Sequence, residues 1–325
     1  MVNFLIRLNW LRQIALQLCC LVGFAAVSVS AEPGVLAAIP GVVAEGSRFE
    51  LIRDGFEGTE GPLAMPDGSL IFTETRASRI SQVAVDGTVS VFLTDTNGTN
   101  SLAWTPQGLL VGVQTAAPRL GVIYPADQVK TYAESFDGQA FGRPNDLVAD
   151  RRGGIYFTDP GVAAKPGQPA GPPPSVYYYT AEAGLRRLIT DVARPNGIQL
   201  SRDEHTLYLA NTAGEYVLAY TVAEDGALSE RRDFAKLAAF RQTETGATSG
   251  ADGLAVDADG RLYVATTLGI EVFTTEGQAL GIIPTPKPPQ NLAFSGVDKK
   301  TLYVVGRGAV YRLPVLTAGF AGRAK

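Results

Sequence analysis

The sequence predicts an all-β fold, a six-bladed β-propeller of four-stranded blades, and three observations support this prediction. First, six short segments repeat one layout, in which a carboxylate or carboxamide residue opens an apolar run: Glu60, Asn100, Asn145, Asn196, Asp252 and Asn291. Second, a polar turn and another apolar run follow each of these opening residues. Third, self-similarity at a period of roughly 40–50 residues is typical of propellers and solenoids. Radial symmetry would gather the opening side chains around one axis.

Each repeat is expected to contain four strands. The turn Pro66-Asp-Gly-Ser between the first and second strands, and Val85-Asp-Gly between the third and fourth, have the residues of tight hairpins. Tyr, Val, Phe, Ile and Thr dominate the runs between the turns, as β structure prefers. The sixth repeat lacks a fourth strand, whereas residues 48–53 form a lone strand before the first repeat. Pairing of this N-terminal strand with the C-terminal blade would close the ring, and the residues after Pro314 are expected to be frayed.

One insertion, residues 161–175, interrupts the third repeat between its second and third strands. Its prolines prevent it from pairing as a strand. The loop should leave the same face of the ring as the opening residues. It either overhangs the central pocket or is an ordinary surface loop.

The first 31 residues are predicted to be a secretory signal peptide. Arg7 and Arg12 flank a basic start, residues 14–29 are largely apolar, and small residues precede Glu32. An uncleaved membrane anchor is the alternative. We therefore expect an exported protein, periplasmic or secreted, whose residues 32–325 form a single propeller domain. Both cysteines lie inside the signal, which excludes disulfides and cysteine metal sites from the mature chain.

Charge and histidine content exclude several function classes. The formal net charge is −4, and removal of the signal with its two arginines takes it to −6. An acidic chain without basic clusters argues against nucleic acid or an anionic membrane as partner, and nothing indicates an obligate protein partner. We expect a small-molecule substrate. The only histidine, His205, lies in a turn predicted on the opposite face, which excludes a Ser-His-Asp triad in the pocket.

The opening residues offer hard oxygen donors for a metal ion. Glu60, Asn145, Asn196 and Asp252 together supply carboxylate and carboxamide oxygens without imidazole or thiolate. That set favours one divalent cation, Ca²⁺ above Mg²⁺, Mn²⁺ or Zn²⁺. Asn and Asp at strand starts also satisfy backbone groups as Asx turns. For Asn100 and Asn291, that structural role and a substrate contact are equally well supported.

Several motifs resemble the senescence marker protein/regucalcin/gluconolactonase family over nearly the whole mature chain. They are Arg143-Pro-Asn-Asp-Leu-Val, Ile155-Tyr-Phe-Thr-Asp-Pro-Gly, Arg194-Pro-Asn-Gly-Ile, Ala251-Asp-Gly-Leu-Ala-Val-Asp and Asn291-Leu-Ala-Phe. The resemblance implies a propeller hydrolase that opens sugar lactones or similar cyclic esters. It also implies that Glu60, Asn196 and Asp252 hold the cation and that Asp252 transfers the proton.

The substrate is expected to contact Asn145, Asn100 and Arg143. Asn145 resembles a family residue that contacts substrate or a water on the metal, and Arg143 begins the same motif. Asp146 and Asp159 are reserve candidates for the base, with an Asx turn and a cap before Pro160 as their structural alternatives. Two other functions share this architecture: a non-catalytic ligand-binding propeller with a structural Ca²⁺, and a strictosidine-synthase-like enzyme.

Overall fold

Strands supply nearly all of the regular structure. The computed structural model describes residues 34–163 and 171–325. The predicted signal segment, residues 1–31, falls outside that part of the chain, so the signal and the domain boundary that follows it stay predictions. Within the described part, no helix is long and apolar enough to cross a membrane.

The strands are short and follow one another closely along the chain. In chain order they are β1 (Glu50–Asp54), β2 (Thr59–Ala64), β3 (Leu70–Glu74), β4 (Arg79–Val83), β5 (Val89–Leu93), β6 (Thr99–Trp104), β7 (Leu110–Gln114), β8 (Arg119–Tyr124), β9 (Lys130–Ala133), β10 (Ser135–Phe136), β11 (Gln139–Ala140), β12 (Leu147–Ala149), β13 (Ile155–Asp159), β14 (Ser175–Thr180), β15 (Gly184–Ile189), β16 (Pro195–Leu200), β17 (Thr206–Asn211), β18 (Tyr216–Val222), β19 (Leu228–Lys236), β20 (Arg241–Thr243), β21 (Gly246–Thr248), β22 (Leu254–Val256), β23 (Leu262–Thr266), β24 (Gly269–Phe273), β25 (Ala279–Ile283), β26 (Asn291–Ser295), β27 (Thr301–Gly306) and β28 (Ala309–Pro314). Two short 3-10 helices, Thr75–Ala77 and Ala126–Gln128, lie between them.

Six antiparallel sheets of four strands form the blades of a ring. Blades 1 to 5 are β2–β5, β6–β9, β12–β15, β16–β19 and β22–β25, and blade 6 combines β26–β28 with β1. The pairs β10–β11 and β20–β21 are separate hairpins. The first strand of each blade contacts the first strand of the next, and β26 contacts β2 in turn. The predicted six-bladed β-propeller is therefore confirmed.

The ring closes through the N-terminal strand, as the sequence predicts. β1 pairs antiparallel with β28, with Glu50 opposite Arg312. The Arg312 guanidinium lies 2.7 Å from the Glu50 carboxylate and ties the two ends of the propeller together. The strand spans Glu50–Asp54, slightly later than the predicted residues 48–53.

Neighbouring blades pack face to face through apolar side chains. β3 is buried along its whole length, whereas β1, an outer strand, is largely exposed. Between blades 5 and 6, the Tyr263 ring meets Phe294 edge-on at 5.0 Å, and its hydroxyl donates to the buried Asp257 at 3.1 Å. Close packing of this kind holds the first strands, and the residues at their ends, in fixed positions.

The segment after Pro314 is ordered, and the expectation that it would be frayed is wrong. Val315 is buried, and the Leu316 amide donates to the Val42 carbonyl at 2.9 Å. Near the end of the chain, the Ala64 amide donates to the Ala324 carbonyl at 3.0 Å. Lys325 is only 6% exposed. These backbone bonds replace the strand pairing that the sequence pattern lacks there.

The proline-rich insertion joins β13 to β14, as its position in the sequence predicts. In its described residues, 161–163 and 171–174, no strand forms. The Val162 amide donates to the Pro172 carbonyl at 3.2 Å, which brings the two described ends of the loop together.

Candidate active site

The first strands of the blades carry the opening residues at one end of the ring. The strand register shifts in β2 directly after Glu60 and in β16 around Asn196. Such bulges redirect side chains at the point where they occur. Asp252 precedes β22, and its amide donates to the Ala265 carbonyl at 2.9 Å. The backbone of each residue is thus fixed by hydrogen bonds or by the flanking strand pairs. Its side chain does not follow the regular alternation of a strand.

Glycines after the opening residues allow neighbouring first strands to approach each other closely. A Cβ atom on Gly197 would lie 2.0 Å from the Asp252 carbonyl oxygen, and one on Gly253 would lie 2.0 Å from Asn291 Oδ1. No larger residue fits at either position without a shift of the strands. The glycines therefore bring blades 4, 5 and 6 together around the axis.

A pocket of about 580 Å³ lies at this end of the ring. Its lining includes every residue predicted for the site: Glu60, Asn100, Arg143, Asn145, Asn196 and Asp252. Asn291, the sixth opening residue, lies behind the pocket wall against Glu60. Residues separated by up to 192 positions in the sequence are thus brought to one cavity.

Glu60 is held by two amide side chains from blade 6. It is 7% exposed, and it accepts hydrogen bonds from Gln290 Nε2 at 3.0 Å and Asn291 Nδ2 at 3.2 Å. Burial, and then the negative charge of Asp146, raise the pKa of Glu60 to about 7. The carboxylate is thus oriented by neutral donors, and a positive charge beside it would favour its ionised form.

Asn196 has an amide oxygen without a hydrogen-bond donor. Its Nδ2 donates to Thr212 Oγ1 at 3.1 Å, and Thr212 Oγ1 in turn donates to the Ala251 carbonyl at 2.8 Å. This chain fixes the amide group and leaves the buried Oδ1 unpartnered among the described residues. A buried acceptor without a partner is costly unless an external group binds it.

Asp252 lines the same pocket as Asn196, and its carboxylate makes no hydrogen bond within residues 34–163 and 171–325. Burial is the main reason that its pKa lies well above the usual value, followed by the negative charges of Glu60 and Asp146. Mutual repulsion among buried carboxylates is the expected result when no cation balances them.

These observations fit a divalent cation between Glu60, Asn196 and Asp252. Two carboxylates with raised pKa values and one unpartnered amide oxygen are the hard donors that Ca²⁺ and Mg²⁺ prefer. Across the described chain, no cluster of three or more His, Cys, Asp or Glu side chains could hold a metal. A cation between these residues would therefore need the carboxamide oxygen of Asn196 as its third donor.

The three predicted substrate contacts differ in how far their side chains are already engaged. Asn145 lines the pocket, and its side chain makes no hydrogen bond to the described protein. Asn100 Nδ2 donates to the Asn145 carbonyl at 2.8 Å, so it also positions its neighbour. Arg143 is exposed at the pocket, while its amide donates to Asp159 Oδ1 at 2.8 Å. Asn145 and Arg143 thus keep their polar groups for a ligand.

The reserve bases and the histidine lie outside the pocket lining. Asp159 is fully buried and accepts the amides of Gly142, Arg143 and Gly161, so its structural role as a cap accounts for it. Asp146 is paired with Lys325 below the pocket. The His205 side chain is 81% exposed and lies beside Asp203.

A family model described as the SMP-30/Gluconolactonase/LRE-like region matches residues 58–307. The chain belongs to this family. The matched segment runs from the residues just before β2 to the turn after β27 and includes all six opening residues. The resemblance stated from the sequence motifs is confirmed.

Relatives of known name agree with this assignment to the SMP-30/gluconolactonase family. A gluconolactonase from Zymomonas mobilis is 25% identical over 296 residues, which cover 83% of this chain and 82% of that protein. A solved gluconolactonase from Xanthomonas campestris is 30% identical with a TM-score of 0.75, covering 86% of this chain and 94% of the other. Regucalcin from Agrobacterium tumefaciens, a calcium-binding protein, has a TM-score of 0.69 at 19% identity, covering 83% of this chain and 94% of the other. At that identity the likeness concerns the fold.

Sequence reasoning missed the residues that support the site in this family member. Thr212 and Gln290 contact Asn196 and Glu60 but were not among the predicted residues. A signal for the first was available, because the residue directly after the second strand lines the pocket in five blades: Thr75, Pro160, Thr212, Thr267 and Arg307. No repeat pattern marks Gln290, which follows four prolines within a loop.

Proposed function

We propose that this SMP-30/gluconolactonase family member is a divalent-cation-dependent hydrolase that opens a sugar lactone or similar cyclic ester in the central pocket. The observation that carries the proposal is the donor set of Glu60, Asn196 and Asp252 in one pocket, with the buried Asn196 Oδ1 unpartnered in the described structure. The gluconolactonases of Zymomonas mobilis and Xanthomonas campestris support a lactone as the substrate class.

The oxygen donors favour Ca²⁺, with Mg²⁺, Mn²⁺ and Zn²⁺ as the alternatives to test. A cation held by these three residues would act as a Lewis acid on the lactone carbonyl and stabilise the negative charge that develops on its oxygen. Gln290 and Asn291 orient Glu60 for this task, and Thr212 orients Asn196.

The protein's own groups carry the proton and position the substrate. Asp252 accepts a proton from the attacking water while the oxygen of that water bonds to the carbonyl carbon. The ring carbon–oxygen bond then breaks, and the same proton passes to the departing alkoxide, which leaves as the hydroxyl of a hydroxy acid. Asn145 and Arg143 are suited to bind lactone oxygens because their polar groups face the pocket without partners in the described chain. Asn100 keeps Asn145 in place.

Removal and return of the cation tests this function directly. Chelated protein should lose lactonase turnover on a panel of aldonolactones and aliphatic lactones. Addition of Ca²⁺, Mg²⁺, Mn²⁺ or Zn²⁺ in separate samples should restore it to different extents. Unchanged turnover in thoroughly chelated protein would contradict cation dependence.

Asp252→Asn separates the proton-transfer role from cation binding. This change keeps an oxygen donor and the side-chain volume but removes the basic oxygen. At saturating cation, we expect turnover to fall by at least about 10²-fold, the usual contribution of a general base. Asp86→Asn, at an exposed turn in blade 1, should retain full turnover. Full rescue of Asp252→Asn by extra cation would show that another group is the base. Absence of any ring opening by the wild type would favour a non-catalytic ligand-binding propeller.

The proposal includes export, which rests on the pattern of residues 1–31 alone. Expression of the full chain in a bacterial host should place the protein in the periplasm or medium, with a new N-terminus near Glu32. A protein that stays at the membrane with its first residues intact would support the anchor instead.

A further inference from the structure

Four arginines surround the proposed catalytic pocket. Arg76, Arg143, Arg194 and Arg307 all line it, and each comes from a different part of the ring. All four side chains are exposed, and none of their guanidinium groups makes a hydrogen bond or ion pair to residues 34–163 or 171–325. The pocket entrance therefore carries four positive charges without a carboxylate at ion-pair distance in the described chain, and only that of Arg307 acts on a pocket carboxylate, lowering the pKa of Asp252.

This arrangement differs from that of arginines elsewhere in the propeller. Outside the pocket, many guanidinium groups pair with carboxylates at 3.0 Å or less: Arg79 with Glu74, Arg151 with Glu204, Arg231 with Asp191, Arg261 with Asp257, and Arg312 with Glu50. The chain as a whole is acidic, with a formal net charge of −4. Unpaired positive charge at the pocket is thus a local feature, opposite in sign to the whole molecule.

The backbone fixes each arginine close to a residue of the site. The Arg307 amide donates to Gln290 Oε1 at 2.9 Å, and the same Gln290 side chain holds Glu60. Arg76 packs over Gly58, where an added Cβ would lie 3.4 Å from its Cγ. Arg143 and Arg194 each lie two residues before a pocket asparagine, with a proline between. The proline limits the backbone freedom of both segments.

The charge balance of the pocket favours an anion. Among the described residues, Glu60 and Asp252 are the only carboxylates in its lining, and both belong to the proposed cation site. With a divalent cation bound to both carboxylates, the guanidinium groups would add positive charge that no further carboxylate of the described lining balances. A guanidinium group suits the planar or tetrahedral oxygens of carboxylate and phosphate, which it can bind through two parallel hydrogen bonds. A neutral sugar lactone offers no such group.

We propose that the substrate is a lactone that carries a second, anionic group, a carboxylate or a phosphate, which the arginines at the pocket entrance bind. This inference rests on the proposed lactonase function and adds the substrate class to it. The lactone carbonyl lies toward Glu60, Asn196 and Asp252, and the anionic group lies toward the arginines. Hydrolysis then consumes one water and yields a hydroxy acid with two anionic groups.

The test compares neutral and anionic lactones of similar ring structure. Glucono-1,5-lactone is the neutral reference for 6-phosphoglucono-1,5-lactone, which carries a phosphate. Glucono-1,4-lactone is the neutral reference for glucaro-1,4-lactone, which carries a carboxylate. We expect kcat/KM for at least one anionic lactone to exceed that for its neutral reference by about 10-fold or more at low salt. The advantage should shrink when added salt screens the exposed charges. The anionic lactone that is preferred identifies the group.

Single Arg76→Gln, Arg194→Gln and Arg307→Gln variants assign the effect to the arginines. Each should lower kcat/KM for the preferred anionic lactone about three- to fivefold, as expected for one exposed ion pair. The value for the neutral lactone should change less than about twofold in Arg76→Gln and Arg194→Gln, whereas Arg307→Gln also removes a charge that acts on Asp252. Arg231→Gln, on the outer strand of blade 4, removes a charge of the same type far from the pocket and should change neither.

A binding measurement separates failure of this inference from failure of the lactonase function. Calorimetry should show that the cation-loaded protein binds gluconate 6-phosphate or glucarate more tightly than gluconate. The three variants should weaken that preference. Equal turnover of neutral and anionic lactones would overturn the anionic substrate and leave the lactonase function intact. Arginine-dependent binding of the dianions without turnover of any lactone would overturn the lactonase function and support anion specificity.

Discussion

A buried ion pair between Lys325 and Asp146 lies beneath the pocket, and its contribution to stability can be tested by mutation. Lys325 Nζ lies 2.5 Å from both Asp146 carboxylate oxygens, and the two side chains are 4% and 1% exposed. Asp146 also accepts Ser101 Oγ at 2.5 Å and the Leu147 amide at 2.9 Å. The pair thus joins the end of the chain to blades 2 and 3.

We predict that Lys325→Met strongly destabilises the protein. The change keeps much of the side-chain volume but leaves Asp146 buried with neutral donors only. Removal of one partner from a buried ion pair typically costs about 3–5 kcal/mol. For a propeller of this length, about 2.1 cal/mol/K per residue gives an unfolding entropy near 0.6 kcal/mol/K. The melting temperature should therefore fall by about 5–8 °C.

The double variant Asp146→Asn/Lys325→Met shows whether the cost comes from the unpaired charge. It removes both charges, so it should recover most of the lost melting temperature. Lys236→Met is the matched control, because Lys236 pairs with Glu215 at 2.9 Å on an exposed surface. An exposed pair contributes about 0–1 kcal/mol. The measurement is thermal unfolding followed by circular dichroism, in EDTA and again at saturating Ca²⁺.

Cation affinity provides a second and independent measurement. The positive charge of Lys325 lowers the pKa of both Glu60 and Asp252. The same charge would repel a cation bound to these carboxylates. Lys325→Met should therefore bind Ca²⁺ more tightly than the wild type, and the double variant should return toward the wild-type affinity. If Lys325→Met melts within 2 °C of the wild type and binds Ca²⁺ with unchanged affinity, the energetic role assigned to the buried pair is wrong.

Two further predictions concern the packing around the site. Gly253→Ala places a Cβ 2.0 Å from Asn291 Oδ1 and 2.7 Å from its Cα, so unfolding should become easier by about 1–3 kcal/mol or more and Ca²⁺ affinity should fall. Gly184→Ala is the uncrowded comparison, because no atom lies within 4 Å of the added carbon although its φ is +72°. Gly253 has no positive φ, so an effect of Gly253→Ala no larger than that of Gly184→Ala would contradict the close-approach argument. Thr212→Val removes the hydroxyl that orients Asn196 and should weaken Ca²⁺ binding about 10-fold, while Thr212→Ser restores it. Thr243→Val, on an exposed hairpin, should leave the affinity unchanged. Calorimetry measures the Ca²⁺ affinity of all five variants.

The fold and the pocket were predictable because their signals are local and repeated. Alternating apolar runs and hairpin turns specify each blade within about 40–50 residues, and the number of repeats specifies the ring. Radial symmetry then places Glu60, Asn196 and Asp252 at one end of the axis without any knowledge of their contacts. The order of the C-terminal segment was not predictable in this way, because Lys325 bonds to a residue 179 positions earlier.

The repeat predicts where an opening residue lies but not what its side chain does. Asn100, Asn145 and Asn291 occupy equivalent places, yet one positions a neighbour, one faces the pocket and one holds Glu60. These roles depend on contacts between blades, such as that of Gln290 with Glu60 across 230 positions. A pattern read along one strand contains no information about the side chain that the next blade presents.

The residue after each opening residue accounts for part of this division of roles. Glycine follows Glu60, Asn196 and Asp252, the three proposed cation ligands, and allows the first strands to approach each other. In blades 2 and 3, Ser101 and Asp146 occupy the same place and bond to each other. Because Asp146 is buried with its charge, the fold requires a cationic partner there, and Lys325 supplies it from the C-terminal segment. The residue directly after each opening residue thus determines how closely the ligand-bearing strands pack. In blade 3 it also places the charge of Asp146 beneath them.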